Sequence, residues 1–92
     1  MAGIMKLTAT TLSSAKLPDG KSEIIFFDEE LPGFGLRVRA GGSRTFVYQY
    51  QLSSKQRRMS LGVATETNVN SIRKIAEKLH ARVKLGEDPA TA

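Results

Sequence analysis

Residues 36–50 read LRVRAGGSRTFVYQY, two runs of alternating residues meeting at the pair Gly41-Gly42. Successive side chains of a strand point to opposite faces, so the alternation assigns two parities. One collects Leu36, Val38, Phe46, Tyr48 and Tyr50; the other collects Arg37, Arg39, Thr45, Val47 and Gln49. Gly41-Gly42-Ser43 supplies the positive-φ positions of a tight turn, which predicts a β-hairpin over the whole stretch. Strand-like composition continues on both sides. EIIFFD (23–28) is rich in β-branched and aromatic residues. The segment 56–62, QRRMSLG, follows a polar turn at 53–55 and adds Met59 and Leu61 to the apolar parity.

After Gly62 the period changes. Val69, Ile72, Ala76, Leu79 and Val83 recur at steps of three and four, one face of an α-helix running from about 69 to 85. Asn68 stands where an N-cap belongs, Gly86 where a helix stops, and Pro89 just beyond. The opposite face, with Arg73, Lys74, Glu77 and Lys78, reads as a solvated surface. Earlier, LTATTLSSAK (7–16) is expected to hold a short helical turn capped by Thr8, ended by Pro18-Asp19-Gly20. Residues 1–6 read as a flexible start. The expected fold is α+β, a three- to four-stranded antiparallel sheet packed on one C-terminal α-helix. A single helix covers one sheet face and leaves the other bare.

The bare face would carry Arg37, Arg39, Thr45, Val47, Gln49, Gln51, Arg58 and Ser60, with Arg44, Lys55, Gln56 and Arg57 at turns and strand ends. The net charge is +5 and the isoelectric point about 9.9. From Leu31 to Thr65 there are six basic residues and no carboxylate, whereas the remainder holds eight basic and nine acidic residues. The excess is therefore local to the strands. A plain solvent-facing sheet pairs opposite charges across strands, so an acid-free basic face points to a polyanion. Arginine and glutamine can make bidentate contacts with base edges, and serine, threonine and lysine contact phosphates.

Other chemistries fit less well. With no cysteine there is no disulfide framework, thiol nucleophile or cysteine zinc site, and His80 is the lone histidine. His80 lies mid-helix without a second ligand or catalytic partner and reads as a packing or surface residue. No apolar run approaches the roughly 18 residues of a membrane span, and MAGIMKLTATTL does not read as a secretory signal, so a cytoplasmic protein is expected. GFG (33–35) and AGGS (40–43) match no dinucleotide or phosphate-loop spacing and read as turns. Asp28-Glu29-Glu30 reads as a solvated turn. Tyr48 and Tyr50 share the parity of Phe46 and are expected in the core rather than as base-stacking platforms. No acid–base or nucleophile set is recognisable, and no cofactor or small-molecule substrate is expected.

The string LPGFGLRVRAGGSRTFVYQYQL, followed by QRRMSLG and a helix ending in GEDP, resembles the amino-terminal arm-type DNA-binding domain of phage and prophage integrases, the tyrosine recombinases of mobile elements. The resemblance covers about Leu7 to Pro89 and is most specific between Leu31 and Gly62. It implies a small sheet laid in the major groove of arm-type repeats flanking an attachment site, with double-stranded DNA and other integrase protomers as partners. Residue by residue it implicates Arg37, Arg39, Gln49 and Arg58 on the sheet, with Arg44, Lys55 and Arg57 at its margins. It also implies a DNA-binding unit at 7–88, a linker beginning at 89–92, and catalysis confined to a separate carboxy-terminal domain. Many relatives have an aromatic-proline turn where Val63-Ala64-Thr65-Glu66 stands, and arginines at the positions of Gln49 and Gln51. From the residues alone, two further readings stay open: a single-stranded nucleic-acid or RNA module, and a protein-interaction module using the helix or a sheet edge.

Overall fold

In the computed structural model, residues 2–12, 14–52, 54–65 and 67–89 are described. The five strands are β1 (Ala2–Met5), β2 (Glu23–Asp28), β3 (Phe34–Arg39), β4 (Arg44–Leu52) and β5 (Lys55–Val63). They lie side by side in chain order. Helix α1 (Ala9–Leu12) lies between β1 and β2, and α2 (Val69–Lys84) follows β5. The fold is α+β as the alternation and the change of period imply, with one strand more than expected. Of the residues read as a flexible start, Ala2–Met5 form β1, Lys6 follows it, and Met1 lies outside the described residues. That strand pairs parallel to β2, with Ile4 opposite Phe27, while the other pairings are antiparallel. Four residues are too few to show an alternation, and their partner lies more than twenty positions away.

The parities hold. Phe34, Leu36, Val38, Phe46, Tyr48 and Tyr50 face α2 and are buried with Val69, Ile72 and Ala76. Phe34 stacks on Phe46 at 5.4 Å, and Tyr48 on Tyr50 at 5.6 Å. Leu7, Leu12 and Ala15 close the same core from the amino-terminal side. In α1, Thr8 Oγ1 accepts the Thr11 N–H at 3.2 Å, and Thr11 Oγ1 accepts the Thr8 N–H at 2.9 Å. This reciprocal arrangement satisfies amides that a helix start leaves unpaired.

The ends of α2 behave differently from each other. Asn68 occupies the N-cap position but makes no side-chain cap hydrogen bond. Its amide turns back instead, accepting from Thr65 N at 2.9 Å and donating to the Val63 carbonyl at 2.8 Å, so it ties β5 to the helix. At the carboxy end, Gly86 has φ +88°, Gly86 N–H donates to Val83, and Glu87 N–H donates to Arg82. That pair of bonds is a Schellman motif, as the glycine stop implies.

Asp28 is the exception to the expected solvated acidic turn. It is buried at 5% exposure and binds Arg73 of α2 through both guanidinium ends at 2.8 Å. Its carboxylate also accepts N–H groups from Leu7, Glu30 and Leu31. Arg73, expected in solvent, donates further to the Leu7 carbonyl and lies 5.3 Å over the Phe34 ring. Burial pushes the Asp28 carboxyl up, but Arg73 and the Leu7 and Leu31 amides outweigh it and hold it at about 2.

Candidate nucleic-acid interface

The sheet face away from α2 is built by cross-strand rows. One row places Ile25, Arg37, Thr45 and Val63 side by side; the next places Ile4, Phe27, Gly35, Val47 and Ser60. Beyond these, Glu23 lies opposite Arg39 at one end, and Gln49–Arg58 and Gln51–Gln56 lie opposite each other at the other. An irregularity between Phe46 and Val47 lets β5 carry one extra residue, Leu61, between Ser60 and Gly62. The bulge keeps Ser60 and Arg58 on the outer face.

Of the residues expected to contact a ligand, Arg37, Arg39, Thr45, Gln49, Gln51, Arg58 and Ser60 share this face. Arg44 and Arg57 do not. Arg44 lies opposite Val38 on the core parity, donating to the carbonyls of Leu12 and, at 2.6 Å, of Ala15. Arg57 lies opposite Tyr50, its Nε 2.9 Å from Asp88, and the Tyr50 hydroxyl donates to the same carboxylate. Lys55 is exposed at the β4–β5 turn on that parity too; Ser53 of this turn lies outside the described residues.

The middle of the outer face is apolar rather than basic. Val47 and Ile25 are buried at 1% and 5% exposure although no helix covers them. Gly35 makes this possible: a Cβ there would meet Ile25 at 3.1 Å and Phe27 at 3.2 Å, so these two side chains fill the space over it. The arginines stand beside these apolar side chains; Arg39 and Arg58 donate from Nε, whereas the buried Arg37 Nε makes no hydrogen bond among the described residues. Arg58 donates from Nε and Nη2 to Gln49 Oε1, at 3.0 and 2.8 Å. Arg39 Nε donates to Glu23 Oε1 at 3.0 Å, and Arg37 Nε lies 2.9 Å from the same oxygen. The terminal Nη groups of Arg37 and Arg39 make no hydrogen bond among the described residues.

Glu23 corrects one premise. The carboxylate-free span from 31 to 65 is real, but β2 brings a carboxylate onto this face from outside it. The hydrogen bond from Arg39, with the charges of Arg37 and Arg58, holds the Glu23 carboxyl below its ordinary value. The parity of EIIFFD, with Glu23, Ile25 and Phe27 outward, was the available signal.

The helix side offers no comparable surface. Tyr48 is buried, its hydroxyl 3.0 Å from His80 Nδ1, and Tyr50 is buried beside it, so neither presents a ring for base stacking. Among the described residues no cluster of His, Cys, Asp or Glu could hold a metal ion, and no helix is long and apolar enough to cross a membrane.

The chain is 28% identical over 87 residues to the prophage integrase IntF of Escherichia coli K12. The aligned region is 95% of this chain and 18% of that relative's length. The family model described as "Arm DNA-binding domain" matches residues 7–92, nearly the whole chain, and the chain belongs to that family of integrase DNA-binding domains.

Proposed function

We propose that the outer face of the β3–β5 strands binds duplex DNA at arm-type repeats, and so positions a site-specific recombinase for integration or excision of a mobile element. The observation that carries this reading is the set of Arg37, Arg39 and Arg58 on one face, with Arg39 and Arg58 hydrogen-bonded through Nε and Arg37 in an ion pair with Glu23. Arg39 and Arg58 oriented in this way keep Nη hydrogens for contacts with guanine edges, while Gln49, its Oε1 taken by Arg58, has its Nε2 hydrogens to donate. Three strands span about 10 Å, which fits a major groove about 12 Å wide. Ile25 and Phe27 of β2 would then lie toward the groove wall. Arg44 and Arg57 stand apart from this set because their guanidiniums serve the core side of the sheet. Strand cleavage belongs, on this reading, to a separate catalytic domain of an integrase.

Binding to duplexes enriched from a random library, measured against salt, tests the proposal. The logarithm of affinity should fall linearly with that of salt, by about 0.9 per phosphate neutralised. Arg37→Ala, Arg39→Ala and Arg58→Ala should each cost about 1–3 kcal/mol if the side chain reads a base. A single-stranded competitor that displaces the duplex at equal concentration would contradict the groove reading.

A further inference from the structure

One carboxylate oxygen on the outer face serves two arginines. Glu23 Oε1 lies 3.0 Å from Arg39 Nε and 2.9 Å from Arg37 Nε, although its register partner is Arg39 alone. An ordinary cross-strand pair would match one acid to one base. Arg39 Nε donates a hydrogen bond to the shared oxygen, whereas the buried Arg37 Nε meets it as an ion pair without a hydrogen bond. The three charges leave a net +1 where two free arginines would present +2. Glu23 is also the sole acid among the described residues of the outer parity.

The other arginine of the face provides the contrast. Arg58 is oriented just as firmly, but by the neutral amide oxygen of Gln49. Orientation of a guanidinium therefore does not require a negative charge on this face. The charge at Glu23 has a separate consequence. A phosphate approaching Arg37 and Arg39 would meet the field of the carboxylate behind them, whereas a neutral base edge would not. Like charges brought together across an interface suppress wrong partners more than they change the right one.

We propose that Glu23 is a specificity-determining positioning residue: it orients Arg39 by a hydrogen bond, holds Arg37 by an ion pair, and weakens phosphate contacts with the pair relative to contacts with base edges. The inference rests on the duplex-binding reading given above. Glu23→Gln is the discriminating variant, because it keeps the size and an acceptor oxygen while removing the charge. Glu23 is partly exposed, so the variant is expected to fold, with a thermal melt as the check.

The test compares the wild type, Glu23→Gln, and the double variant Arg37→Ala/Arg39→Ala on two probes. One is a 20-base-pair duplex of random sequence; the other is the duplex that the wild type enriches from a random library. Both are followed by fluorescence anisotropy across a salt series. Glu23→Gln should bind the random duplex about fivefold more tightly, with a salt slope steeper by about one. Its affinity for the enriched duplex should change by less than about twofold, so the ratio between the probes falls. Unchanged random-duplex binding and slope in Glu23→Gln, or an equal gain on both probes, would overturn the role of Glu23. If instead the wild type bound neither duplex, or the double arginine variant bound both as well as the wild type, the sheet-face reading itself would fail.

Discussion

Asp28 shows how much of the fold hangs on one side chain. It joins the start of the chain at Leu7, the turn at Glu30-Leu31, and Arg73 on α2. Replacing it by alanine leaves Arg73 partly buried without its partner, which should cost about 3–5 kcal/mol in a denaturant titration. The pH dependence has a definite sign. The folded carboxyl titrates at about 2 and the unfolded one at its ordinary value of 3.8. The stabilisation is therefore complete above about pH 5 and disappears as the pH falls through 4 toward 2, a total of about 2 kcal/mol. In Asp28→Asn that acid-side loss should be much smaller. Gly33 is a second single-residue constraint: its φ is +88°, and a Cβ would stand 2.1 Å from the Gln49 carbonyl oxygen. Its own carbonyl accepts the Gln49 N–H at 2.8 Å. Gly33→Ala should therefore push the loop away from β4 and lower stability by about 2–4 kcal/mol, read from the unfolding midpoint. The turn at Gly33 was legible, but its approach to Gln49 was not, and neither was the Asp28–Arg73 pair. Asp28 and Arg73 are 45 positions apart, and an acidic run beside a proline and a glycine has the composition of a solvated turn.

At the scale of elements, the local periods were legible and the pairings between distant elements were not. The hairpin of β3 and β4, the period of α2 and its glycine stop follow from residues within a few positions of each other. The β1 strand, its parallel partner and the arrival of Glu23 beside Arg37 depend on which strand lies next to which. Two arginines stand between these cases. Arg44 shares the parity of Phe46, and Arg57 that of Met59, so continuing the alternation through the turns would have placed both on the helix side. Instead their position near strand ends suggested a margin of the binding face. Their contacts give them structural tasks. Arg44 holds the carbonyl end of α1, while Arg57 and Tyr50 hold Asp88 just beyond α2. Arg44→Ala should accordingly lower the melting temperature by several degrees, the effect of about 1–2 kcal/mol in a domain of this size. Its duplex affinity at low temperature should stay within about twofold of the wild type.

The molecule as a whole is a sheet with two unlike faces. The helix side holds the aromatic core, and the other side holds an apolar row bordered by arginines and amides. This asymmetry explains why a modest net charge of +5 can be read as a binding signal: much of the excess lies on strands, and three of those arginines share one uncovered face. It also separates the arginines into two groups that one experiment can compare. The Nε–Hε resonances of Arg37, Arg39 and Arg58 report on the outer face, and those of Arg44, Arg57 and Arg73 on the core side. Both groups can be followed in the same nitrogen-15 spectrum as duplex DNA is added at low salt. Large shifts or broadening are expected for Arg37, Arg39 and Arg58, with Arg44, Arg57 and Arg73 nearly unmoved. Perturbation centred on Arg44, Arg57 and Arg73, with the outer three unchanged, would contradict the sheet-face reading.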